Sequence, residues 1–121
     1  MSVKGRAFPF RLRCAMQGIL HAWQQEVSFR VQTLLAIIAL GSLLVLHPPV
    51  IWAALVIIMV CMVLVMELFN TAMEQVLDGL HPEKVEFVRI AKDCAAGAVL
   101  VSSVAAVVIY LLMLVELMSN S

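Results

Sequence analysis

The chain has 121 residues, 64% of them apolar and 13% charged, and its eight Lys/Arg balance eight Asp/Glu. Soluble domains run at about 45–50% apolar and about 25% charged, so the excess calls for a solvent other than water, and the length fits a single domain. Neutrality excludes the uniformly basic surface of a nucleic-acid binder; three cysteines, Cys14, Cys61 and Cys94, without metal-ligand spacing argue against a disulfide framework or a zinc site.

The basic start, Lys4 to Arg13, lacks the compact apolar core and small-residue cleavage site of a signal peptide, so an uncleaved amino terminus is expected. Over residues 10–29 the pattern is periodic. Leu12, Met16, Ile19, Leu20, Trp23 and Val27 share one arc of a helical wheel, opposite Arg13, Gln17, His21, Gln24, Gln25 and Ser28. This predicts an amphipathic helix lying on a membrane surface, with Pro9 at its first position. Glu26 and Arg30 fall on the apolar side of the same wheel. Two readings are open there: an ion pair across four residues, or a metal or phosphate role for the acid.

Charge-free runs at 31–46, 50–66 and 94–115 predict three transmembrane helices. Only His47-Pro48-Pro49 separates the first two, a tight reversal. All eight Lys/Arg lie before the first run or between the second and third. Positive residues stay inside, which predicts a cytoplasmic amino terminus and an outer carboxyl terminus.

The second helix has no breaker until Gly79, followed by Pro82. At about 100° per residue, Glu67, Asn70, Glu74 and Asp78 fall within about 80° of one another, one polar stripe on an otherwise apolar helix. With a reversal near Leu80 and His81, and Pro82 opening the third helix, Lys92 and Asp93 are expected level with Glu67 and Asn70. Ala91, Ala95, Ala98, Ser102 and Ala105 or Ala106 recur at helical spacing and predict close helix packing between subunits.

The chain carries no phosphate-binding glycine loop, no dinucleotide fingerprint and no soluble-kinase motif, and His21, His47 and His81 are too dispersed for a metal triad. Carboxylates at a membrane boundary can hold Mg²⁺, a lysine can meet a phosphate, and a further carboxylate can take a proton from an attacking hydroxyl. Phosphoryl transfer needs little more. The same parts serve ion or proton translocation, so a non-enzymatic small membrane oligomer or transporter is the alternative.

The string Glu67-Leu68-Phe69-Asn70-Thr71-Ala72-x-Glu74-x-x-x-Asp78, then Ala91-Lys92-Asp93-x-Ala95-Ala96-Gly97-Ala98-Val99-Leu100, resembles the signature of the prokaryotic diacylglycerol kinase family, which includes undecaprenol kinases. Gly18 and Glu26-x-x-Phe29-Arg30 fit the same family, and the resemblance runs from about Phe10 onward. It implies an all-α membrane protein, three transmembrane helices plus the surface helix, assembled as a homotrimer with active sites shared between subunits. A three-span protomer has too little interior to enclose both a nucleotide and a lipid headgroup, which points the same way.

The implied activity is ATP-dependent phosphorylation of a membrane lipid alcohol at the cytoplasmic face of a bacterial inner membrane, diacylglycerol giving phosphatidic acid, with an undecaprenol kinase as the alternative within the family. Glu67 matches the proton acceptor, Glu26 and Glu74 the carboxylates that hold Mg²⁺ and ATP, and Asn70 an amide near the phosphates. Lys92 and Asp93 match an ATP-binding pair, and Glu83 begins a nucleotide-contact segment. The chain departs from the diacylglycerol branch at Cys14, Met16 and Lys84-Val85.

Overall fold

The computed structural model describes residues 5–83 and 85–120. Four helices follow in chain order: α1 Phe8–Gln25, α2 Val27–Leu46, α3 Val50–Leu80 and α4 Glu86–Ser119. Pro9 stands in the first turn of α1, where its missing N–H leaves no helical bond unmade.

Helix α1 ends at Gln25, not at the Phe29 expected from the periodicity. Glu26 is extended, φ −116° and ψ 110°, and caps both neighbours. Its N–H donates to the Ala22 carbonyl at 2.8 Å, and its own carbonyl accepts from the Arg30 N–H at 3.2 Å. The Arg30 guanidinium donates through Nη1 to the carbonyls of Trp23 at 2.7 Å and Gln24 at 3.2 Å. A cation thus sits on the negative end of α1, and of the two readings open for Glu26 the ion pair with Arg30 does not form.

His47 closes α2 in the left-handed region, φ 49°, with its N–H on the Leu43 carbonyl at 3.1 Å. Pro49 then opens α3 by accepting from the N–H groups of Trp52 and Ala53. At about 1.5 Å per residue, the 31 residues of α3 and the 34 of α4 extend about 46 and about 51 Å, well beyond a hydrocarbon core of about 30 Å. Helices α2, α3 and α4 are each long and apolar enough to cross a membrane.

Helix α3 is the spine: α4 packs closely along it, α2 packs on it as well, and α1 touches α2 and α3. The buried set is thin, Ala22, Phe29, Ala36, Val56, Val63, Leu77, Val88 and Met113 among apolar residues. Leu44, Val45 and Val50 are 77%, 79% and 84% exposed, a surface that water would not tolerate in such quantity.

Within the chain, α3 is the close backbone neighbour of α4 among the described residues; of the small-residue row Ser102 is buried, while Ala91, Ala95, Ala98, Ala105 and Ala106 stay half-buried. Helices α2 and α4 do not approach closely; Gln32 donates to the Ser103 hydroxyl at 3.1 Å, and Ser42 and Tyr110 share a bond of 2.5 Å. These two links span an apolar cavity of about 460 Å³ floored by Val56, Val60 and Val63.

Candidate functional site

Uninterrupted helix from Val50 to Leu80 holds Glu67, Asn70, Glu74 and Asp78 at fixed spacing along one face. Glu67 stands where the apolar run ends and is 2% exposed, the one charged side chain in the buried set among the described residues. Its Oε1 accepts from the Ser28 hydroxyl of α2 at 2.7 Å. One turn on, the Thr71 hydroxyl donates to the Glu67 carbonyl at 3.0 Å, which satisfies a second buried polar group without using the carboxylate.

Asn70 donates through Nδ2 to Glu74 Oε1 at 2.9 Å, so the amide orients the half-buried acid one turn away. Glu26 brings a third carboxylate from the α1–α2 joint. Burial raises its pKa above the ordinary carboxylate range, the negative charges of Glu74 and Glu67 raise it further, and His21 pulls it back. His21 also meets Gln75 Nε2 at 3.3 Å, tying α1 to α3.

Glu26 of the α1–α2 joint thus feels two carboxylates of α3, though among the described residues no three His, Cys, Asp or Glu side chains form a ready metal cage. The donor chemistry fits Mg²⁺ all the same. That ion is held by one or two carboxylates plus water and substrate phosphates, and the field that opposes ionisation of Glu26 is one a divalent cation relieves.

Lys92 stands elsewhere than expected. Its Nζ pairs with Asp78 Oδ1 at 2.6 Å, the two side chains 38% and 62% exposed, instead of standing level with Glu67. Asp78 lies three helical turns beyond Glu67, about 16 Å along the axis. The link 81–85 is longer than a reversal at Leu80 and His81 allows, and α4 starts at Glu86 instead of Pro82, so the register of α4 slides.

Asp93 Oδ2 accepts from Arg89 Nη1 at 2.9 Å, and Arg89 also bridges to Glu86. Val85, Val88, Arg89 and Lys92 line a cleft of about 300 Å³ with these two acids. Glu83 meets His81 Nδ1 at 3.5 Å in the link, where His81 packs edge-on against Phe87. Lys4 and Lys84 lie outside the described residues.

The structure therefore brings Glu26, Glu67, Asn70 and Glu74 to the α1–α2–α3 junction, holds Lys92 on Asp78 one turn beyond Glu74, where it still feels the Glu74 charge, and leaves Asp93 and Glu83 toward the α3–α4 link. Sequence reasoning missed Ser28, Arg89 and the capping role of Arg30. A wheel drawn through an unbroken helix assigns Ser28 to the solvent side; the break at Glu26 turns it toward α3.

Residues 13–114 match the description of prokaryotic diacylglycerol kinase. The chain belongs to this family. A diacylglycerol kinase of Synechocystis sp. is 37% identical over 98 residues, 80% of this chain and 56% of that relative. Proteins named diacylglycerol kinase from Escherichia coli and Haemophilus influenzae are 31% and 32% identical, over 81% and 73% of this chain and 80% and 75% of their own lengths. The chain thus spans little more than half of the Synechocystis relative and about four-fifths of the Escherichia coli one. The matched region of the family contains Glu26, Glu67, Asn70, Glu74, Glu83, Lys92 and Asp93.

Proposed function

We propose that this chain is an ATP-dependent lipid kinase that transfers the γ-phosphoryl group of ATP to the hydroxyl of diacylglycerol, giving phosphatidic acid. The observation that carries the reading is a buried Glu67 sharing one electrostatic neighbourhood with Glu26 and Glu74 at the end of an apolar run. Membership of a family whose relatives are named diacylglycerol kinases supports it.

In this reading Glu67 accepts the proton of the lipid hydroxyl as that oxygen bonds to the γ-phosphorus, while the bond to the β–γ bridging oxygen breaks and ADP departs. Glu26 and Glu74 hold Mg²⁺, and Asn70 keeps Glu74 turned toward it. The bound ion supplies charge neutralisation for the phosphates. Lys92 exchanges Asp78 for a phosphate oxygen, with Asp93 and Glu83 contributing to the nucleotide side.

Three spans and a membrane-lying α1 form one integral membrane kinase domain in a bacterial inner membrane. The amino terminus is cytoplasmic and the carboxyl terminus outside, as the one-sided Lys/Arg distribution favours. A homotrimer whose neighbouring copies complete each site would cover apolar surface that one chain leaves exposed.

The decisive experiment incubates the purified chain with labelled ATP, Mg²⁺ and a panel of diacylglycerol, undecaprenol and ceramide. Label in phosphatidic acid supports the reading. Label in undecaprenyl phosphate moves the chain to the other branch, and no lipid labelling, with ion flux in vesicles, replaces the kinase by a transporter.

A further inference from the structure

We propose that Ser28 is a positioning residue that fixes the Glu67 carboxylate with one oxygen held and the other free. The inference rests on the reading of Glu67 as proton acceptor and extends it to a residue of α2. Among the described residues, the Ser28 hydroxyl is the sole hydrogen-bond donor to this buried carboxylate, and it reaches Oε1 alone, at 2.7 Å. That length is a well-formed O–H···O hydrogen bond. Oε2 keeps its lone pairs for a proton.

A serine in a helix ordinarily bonds back to a carbonyl three or four residues earlier, and others in this chain do so: Ser42 to Ala39, Ser102 to Ala98 and Ser119 to Glu116. Ser28 does not. It sits in the first turn of α2, so the carbonyl four residues back belongs to Gln24 in α1, across the joint at Glu26, and that carbonyl accepts from Arg30. The joint therefore withholds the local acceptor and leaves the hydroxyl to Glu67. Its place next to the joint and facing α3 also explains why a carboxylate can be 2% exposed and still hydrogen-bonded from another helix.

A hydroxyl is uncharged at neutral pH and cannot replace the base. What it does is hold the carboxylate plane against rotation, so its loss acts on the chemical step and not on ground-state binding. Ser28 is exposed on its outer flank, so truncating it removes little packing.

The test measures turnover, and KM for lipid and for Mg-ATP, on the full chain in lipid-containing micelles. Ser28→Ala is expected to lower kcat about tenfold, the kinetic equivalent of one hydrogen bond to a charged group, with both KM values within about twofold. Ser28→Thr restores turnover. Ser28→Cys, similar in volume but a weak donor, shows the Ser28→Ala loss and serves if the alanine variant misfolds.

Glu67→Asp withdraws the carboxylate by one methylene, so adding Ser28→Ala to it produces no further loss. Wild-type kcat in Ser28→Ala, or losses that multiply with those of Glu67→Asp, would overturn the positioning role while leaving the base intact. Normal turnover in Glu67→Gln instead removes the base itself, an outcome readable apart from the Ser28 series.

Discussion

Glu67 is worth isolating first because a buried carboxylate is tolerated only where something else demands it. Glu67→Gln keeps the size and an acceptor for Ser28 but removes the basic oxygen. Turnover is expected to fall below about a hundredth of wild type, with helical content and oligomer size unchanged by circular dichroism and light scattering. Glu74→Gln, by contrast, is expected to raise the Mg²⁺ concentration needed for half-maximal turnover severalfold.

Glu26 gives a pH dependence of defined sign. Its pKa is raised in the folded chain, by burial first and by Glu74 and Glu67 next, so across the window between the unfolded and folded values the folded chain holds more protons. Stability without divalent cation therefore declines as pH rises through that window and levels off above the folded value. Thermal unfolding midpoints in chelator should show the decline in the wild type and lose it in Glu26→Gln. Adding Mg²⁺ should flatten it as well, because a cation favours the ionised form.

Among the elements, the α1–α2 joint and the end of α2 carry the local chemistry. Arg30→Gln removes the cation from the last carbonyls of α1 and is expected to destabilise its docking by about 1 kcal/mol, read as faster proteolysis within α1 while α3 and α4 stay protected. His47→Gly relieves a side chain of its left-handed backbone and should stabilise the chain by about 0.5–1 kcal/mol, visible as a higher unfolding midpoint.

The acidic stripe was legible in the sequence because an unbroken helix obeys its period over the whole stretch from Glu67 to Asp78. The break at Glu26 was not. No Gly or Pro marks it, and tertiary contacts, Arg30 on α1 and Ser28 on α3, hold the chain in an extended turn there. The level of Lys92 was missed for a different reason. A link a few residues longer moves every partner on the following helix by a turn or more, and nothing local in Pro82 or Glu83 fixes where α4 begins.

At the scale of the molecule, one chain leaves large apolar surface uncovered, and the stripe of α3 carries Glu67, held from Ser28, at one end and Asp78, paired with Lys92, at the other, with Glu74 between them. If neighbouring copies complete the site, mixing an inactive Glu67→Gln chain with an inactive Lys92→Ala chain should recover measurable turnover in the mixed oligomer, whereas each alone stays inactive. Failure of every mixture would confine the site to single chains.

Helix α3 behaves as a rod with graduations. Glu67, Asn70, Glu74 and Asp78 cannot change their separations without unwinding it, so adjustment must come from the segments that approach from the side. Glu26 is both a mark read against that rod and the elbow between two other helices. A tilt of α1 against α3 therefore moves the Glu26 carboxyl past Glu67 and Glu74, and the angle of that elbow sets the spacing of the acids.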